Sequence, residues 1–250
     1  MNKSTILLSL LILVGAAASK TNADTTTESS AKVDCVILLH GLGRSGLSMK
    51  AVEWRLEKTG YHVVNQSYPS TKHSIEDLAQ LALGEALPKC ESDTKIHFVT
   101  HSLGGILLRQ YLSEHSISNM GRTVMLGPPN QGSMLADYIQ TVRLANDLQP
   151  EAGRQLGTKG DSVPQKLGPV DFELGIIAGN RNWRPMVSLP LDGPSDGTVT
   201  VEETKIDGMT DFLELPATHT TMMWQAAVLD EIIAFLESGH FSASDADKTK

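Results

Sequence analysis

Lys95-Ile96-His97-Phe98-Val99-Thr100-His101-Ser102-Leu103-Gly104-Gly105 is the stretch on which the fold turns. Lys95 to Thr100 reads as a buried strand, and Leu103 to Ser113 reads as the helix that follows it. Between them stands a serine flanked by small residues, at the point where strand must turn sharply into helix. Such a turn lifts a hydroxyl out of a parallel sheet and exposes it as a nucleophile. The chemistry this implies is acyl transfer.

The same rhythm extends in both directions. Upstream, Val33 to His40 reads as a strand, Ser48 to Lys58 as a helix stopped by Gly60, and Tyr61 to Tyr68 as a strand ended by Pro69. Ser74 with Asp77 three residues on forms a capping pair for a helix running to Leu87. Downstream, Arg122 to Leu126, Phe172 to Ala178 and Phe212 to Leu215 read as strands. Met222, Ala226, Leu229, Ile233 and Phe235/Leu236 form an apolar stripe for a final helix. Strands separated by helices pair in parallel through crossovers. The expected fold class is therefore α/β, with a mostly parallel sheet of about six strands covered by helices on both faces.

Between residues 130 and 170 the rhythm breaks. Met134 to Leu148 reads as helical, but Gly153, Gly157, Gly160, Pro164 and Gly168 interrupt the rest. A long, weakly patterned insertion in a compact domain is more often a lid or binding loop than a core element. It is expected to form a cap over the site.

A serine hydroxyl is a weak nucleophile at neutral pH, so Ser102 needs a histidine base and a carboxylate to orient that base. In sheet enzymes of this type the chain order is serine, acid, histidine. After Ser102 the histidines are His115, His219 and His240. His115 falls at the far end of the helix leaving Ser102, and His240 beyond the final helix. His219 follows a strand directly, at the carboxyl edge where ligands bind in open parallel sheets. The expected acid is Asp196, in Gly193-Pro194-Ser195-Asp196-Gly197-Thr198-Val199, with Asp192 as the alternative. Negative charge developing on a carbonyl oxygen would meet the backbone amides of Leu103 and Leu42, the latter in His40-Gly41-Leu42-Gly43-Arg44-Ser45.

These pieces together resemble a lipase/esterase of the α/β-hydrolase superfamily: HGLGRS at 40–45, THSLGG at 100–105, LGPPNQGS at 126–133, SDGTV at 195–199 and the His219 loop. The resemblance covers most of the chain from Val33 to Leu236. It implies nucleophile Ser102, acid Asp196, base His219, oxyanion amides at Leu42 and Leu103, and hydrolysis of carboxylic esters, lipids among them, through an acyl-enzyme. Transfer of the acyl group to another alcohol, or ligand binding without catalysis, uses the same fold. Thr100 departs from the pattern, which more often has glycine or alanine there, and its larger side chain crowds the turn. His97 and His101 read as packing or supporting groups. Arg181, Asn182, Trp183 and Arg184 read either as a pocket wall or as a solvated loop.

Composition bounds the remaining possibilities. The formal net charge is −8, which disfavours nucleic acid and anionic membrane surfaces as partners. The substrate expected is a small-molecule or lipid ester. No cysteine/histidine spacing suggests zinc and no aspartate-rich loop suggests calcium, so no cofactor is expected. Residues 1–23 carry Lys3, an apolar core from Ile6 to Val14, and the small residues 15–19, the layout of a secretory signal peptide cleaved near Ala18 or Ala23. The mature protein is then exported, periplasmic or secreted, without stable membrane insertion. Residues 24–32 read as a linker, 33–240 as one domain, and 241–250 as a mobile polar tail. In an oxidising compartment Cys35 and Cys90 are either a disulfide or two free thiols.

Overall fold

Side-chain alternation along the first strand sets up two layers. The structure, a computed structural model, describes residues 32–142, 148–183 and 191–242. In β1 (Cys35–Leu39) every residue is buried. Cys35, Ile37 and Leu39 belong to one apolar cluster, and Val36 and Leu38 to another. A strand covered on both faces needs an unbroken apolar run, and CVILL supplies it.

Five further strands complete the sheet: β2 (His62–Gln66), β3 (Ile96–His101), β4 (Met120–Leu126), β5 (Leu174–Gly179) and β6 (Asp211–Leu215). Their order is β2-β1-β3-β4-β5-β6, and every pairing is parallel. The helices α2 (Ile75–Ala86) and α3 (Leu103–Glu114) pack on the face of Ile37, Phe98 and Met125. On the other face, α1 (Lys50–Lys58) and the C-terminal helix Ala226–Ser238 cover Val36, Val99 and Val124. The Ser74 side chain caps α2 by accepting from the Asp77 amide at 3.2 Å. Because the chain runs outward from β1 to β2 and then returns to β3 on the other side, the loops after β1 and β3 diverge. They leave a crevice at the carboxyl ends of the strands.

Among the described residues the insertion includes the short helices α4 (Met134–Thr141), α5 (Glu151–Arg154) and α6 (Val163–Lys166). The helix expected to reach Leu148 thus ends at Thr141, and residues 143–147 lie outside the described residues. Arg109, buried on α3, ties this region down. Its guanidinium donates to the backbone oxygen and side-chain oxygen of Asn130, both at 3.1 Å, and to the carbonyls of Pro164 and Gly168 at 3.2 and 2.8 Å. Burial lowers its pKa to about 10.

Two expectations need correcting. The apolar stripe of the last helix centres on Val228, Ile232, Phe235 and Leu236. Leu229 and Ile233 are only half-buried, Ala226 is exposed, and the helix starts at Ala226, after a separate 3₁₀ turn at Met222–Trp224. The tail also begins later than residue 241. Phe241 is fully buried against Phe235, its amide donates to Asp211 Oδ2, and Ser242 bonds both carboxylate oxygens of Glu231. An aromatic ring able to fill space beside Gly175 outweighs the polar character of its neighbours.

Cys35 and Cys90 form a disulfide with Cα atoms 5.8 Å apart, joining β1 to the turn that leads into β3. Closing a loop of 55 residues stabilises by about 4 kcal/mol in the chain-entropy picture. The expected signal peptide at 1–23, the linker as far as residue 31, Arg184 and residues 243–250 lie outside the described residues. Among the described residues no helix is long and apolar enough to cross a membrane.

Candidate active site

Ser102 sits between β3 and α3 with φ 54° and ψ −121°, and among the described residues it alone, other than glycine, has a positive φ. That conformation is costly for an L-residue and persists only where the surroundings enforce it. Here the Ser102 amide donates to Leu126 O on β4 at 2.9 Å, while its carbonyl accepts from Gly105 N at 3.0 Å. The turn also requires glycine at 104, because a Cβ there would lie 2.5 Å from Leu39 O.

Thr100, the departure from the usual pattern, is fully buried, and among the described residues its hydroxyl has no hydrogen-bond partner. The crowding is relieved at Gly105, where an added Cβ would fall 3.2 Å from Thr100 Oγ1. A bulkier residue three positions after the serine would meet that hydroxyl.

The three sequence-nominated side chains meet. Ser102 Oγ lies 3.0 Å from His219 Nε2, and His219 Nδ1 lies 2.6 Å from Asp196 Oδ2. Since a carboxylate only accepts, Nδ1–H donates to Asp196, which leaves Nε2 as the acceptor facing the serine hydroxyl. The other oxygen of Asp196 accepts from the Thr198 and Val199 amides, both at 2.9 Å. Asp192, the alternative acid, is exposed. His115 is also exposed and stacks on Tyr111, and His240 is exposed at the end of the last helix.

Backbone bonds hold the histidine loop on two sides. The His219 amide donates to Asp196 O at 2.9 Å, and its carbonyl accepts from His101 Nε2 at 2.9 Å. His101 is buried, and burial first, then the neighbouring His219, holds its pKa well below the ordinary value, so it remains a neutral donor through Nε2–H. Gly127 is the supporting residue that sequence reasoning passed over, although it falls within the LGPPNQGS stretch. With φ 51°, it approaches the Asp196–His219 pair so closely that a Cβ would lie 2.9 Å from Asp196 Oδ2 and 3.2 Å from His219 Nδ1.

The Leu42 amide belongs to a loop braced from the segment that follows β2. His40 stacks on Tyr68 with ring centroids 4.0 Å apart, the Tyr68 hydroxyl donates to His40 O, and Gly43 N donates to Ser70 Oγ at 3.0 Å. Burial raises the Tyr68 hydroxyl pKa and so keeps it a donor. Tyr68 and Ser70 carried no sequence signal, because they lie 28 and 27 residues from their partners. Leu103 N heads α3 and so has no intrahelical acceptor. Among the described residues neither it nor Leu42 N is bonded to a protein acceptor.

A cavity of about 270 Å³ opens beside Ser102. Leu42, Leu135, Ala136, Ile139, Leu156 and Val199 make its wall largely apolar, so residues 133–139 and 149–156 of the insertion form one side of it. Glu203 fastens that side to the acid loop by accepting from Met134 N at 2.5 Å and Thr200 N at 2.6 Å. Burial pushes its carboxyl pKa up. Asn182 and Trp183 wall a neighbouring cavity beyond His219 and Thr220.

No protein-family model matches the chain, and no curated protein does. Solved structures do. The Bacillus licheniformis lipase BlEst2 in mature form superposes with a TM-score of 0.61 at 19% identity, over 83% of this chain and 92% of that one. Its propeptide form gives 0.61 at 21%, over 76% of this chain, which spans about half (47%) of that longer one. A metagenomic carboxyl esterase gives 0.64 at 18%, over 77% of this chain and 66% of that one. At these identities the likeness is one of architecture, and with the parallel sheet, the strained serine turn and the crevice above the strand ends, the chain has the α/β-hydrolase fold.

Proposed function

We propose that the protein is an exported serine hydrolase that cleaves carboxylic esters, lipid esters among them, through an acyl-enzyme. The observation that carries this reading is the unbroken hydrogen-bonded chain Ser102–His219–Asp196 beside two unpaired amides, at Leu42 and Leu103. Ser102 Oγ attacks the ester carbonyl as its proton passes to His219 Nε2, and the carbonyl oxygen, now negative, takes hydrogen bonds from the two amides. Collapse of the tetrahedral intermediate breaks the bond to the alcohol, which leaves with the proton from Nε2. Water then repeats the sequence on the acyl-enzyme, returning the serine proton, and Asp196 accepts from Nδ1–H throughout, orienting the neutral ring and stabilising the imidazolium that forms at each transfer.

The apolar wall of the cavity supports an aliphatic limb on the substrate. The disulfide supports export, since such bonds persist in oxidising compartments. The test is turnover of nitrophenyl esters from acetate to palmitate. The wild-type protein hydrolyses members of the series, and His219→Ala lowers turnover by at least about a hundredfold. Near-normal turnover in that variant would reject the assigned base.

A further inference from the structure

One guanidinium borders three hollows around the site. Arg44 lines the apolar cavity beside Ser102, the cavity walled by Trp183, and a third hollow toward Trp224. The side chain is exposed, and among the described residues no carboxylate or other acceptor holds its guanidinium. The other full charge at these cavities is already compensated, because Asp196 accepts from His219 and from two backbone amides. In a chain of net charge −8, acids are plentiful, yet among the described residues this cation stands unpaired at the mouth.

Its backbone is held in place. Arg44 N donates to Gly41 O at 3.2 Å, and the preceding residue is anchored to Ser70, so the guanidinium swings from a fixed point two residues beyond Leu42. A planar guanidinium matches phosphate and carboxylate oxygens two at a time. We infer that Arg44 is a specificity residue that binds an anionic group, phosphate or carboxylate, carried on one limb of the ester and emerging through the Trp183 cavity. The other limb, apolar, fills the cavity of Ile139 and Leu156. This inference rests on the ester-hydrolase reading, and its test separates the two.

The kinetic arm compares 4-nitrophenyl butyrate with 3-carboxy-4-nitrophenyl butyrate, which adds a carboxylate to the alcohol limb. The ratio of kcat/KM for the anionic over the neutral ester falls about tenfold in Arg44→Gln and further in Arg44→Glu, and it is partly kept in Arg44→Lys. Raised salt erodes the wild-type preference. A ratio that does not change across these variants overturns the inference.

The binding arm needs no turnover. On the Ser102→Ala protein, calorimetry gives tighter binding of octyl phosphate than of octyl glucoside, and adding Arg44→Gln removes the difference. Octanoate in place of octyl phosphate tells carboxylate from phosphate recognition. Inorganic phosphate binding as tightly as octyl phosphate would overturn the two-limbed substrate. If neither ester is cleaved but Arg44 still selects octyl phosphate, the hydrolase reading falls and the anion site stands. If both esters are cleaved and neither arm responds to Arg44, the anion site falls and the hydrolase reading stands.

Discussion

Ser102 could be nominated from its neighbours because its backbone demand is local: a strand, a sharp turn and a helix must meet within three residues. His219 and Asp196 could be nominated from chain order, since the loops after β5 and β6 reach the same edge as the loop after β3. What supports them was not legible. Tyr68, Ser70 and Gly127 act across the sheet, and no periodicity in the sequence encodes which residue lies opposite which. Thr100 illustrates the limit well. Its size was visible as a departure, but its accommodation by Gly105 and its unbonded hydroxyl were not. A buried hydroxyl without a partner costs about 1–3 kcal/mol relative to an apolar group of the same shape. Thr100→Val is therefore expected to raise stability by about 1 kcal/mol in urea unfolding, and a loss of stability would show that the hydroxyl has a role the geometry does not reveal.

At the level of elements, the strands were the most legible part, because burial on both faces leaves an apolar run in β1 and β5, while β3 is buried throughout but carries His97, Thr100 and His101 among its apolar residues. The last helix shows why phase is harder. Leu229 and Ile233 are as apolar as Val228 and Ile232, so the sequence allows two faces and packing on β4 selects one. Beyond its first helix the insertion was weakly patterned because its short helices are organised from outside, by Arg109 and Glu203. Arg109 supplies donors to four acceptors that would otherwise be left without partners. Arg109→Ala should destabilise by about 2–4 kcal/mol in chemical denaturation, through unsatisfied acceptors as well as lost packing. A change under about 0.5 kcal/mol would mean that water replaces the guanidinium without loss.

Over the whole molecule, the buried histidines set a pH dependence. Burial lowers the pKa values of His40, His97 and His101 from the ordinary 6.5, so folded rings stay neutral where unfolded ones take up a proton. The unfolded chain then binds more protons, and stability falls as pH drops through 6.5, by at most about 1.4 kcal/mol per pH unit for each ring. Glu203, whose carboxyl burial raises above 4.5, opposes this as pH falls through its folded value. Denaturation midpoints should be lower at pH 5.5 than at pH 7.5; equal midpoints would show that these rings ionise while folded. The central claim is that a hydroxyl, an imidazole and a carboxylate converge at one edge of the sheet to make Ser102 a nucleophile. Its most direct test is the intact mass of the protein after exposure to a fluorophosphonate. One adduct, mapped to Ser102 and abolished in Ser102→Ala, is the predicted result, whereas folded protein that remains unmodified, or that carries the adduct elsewhere, would contradict it.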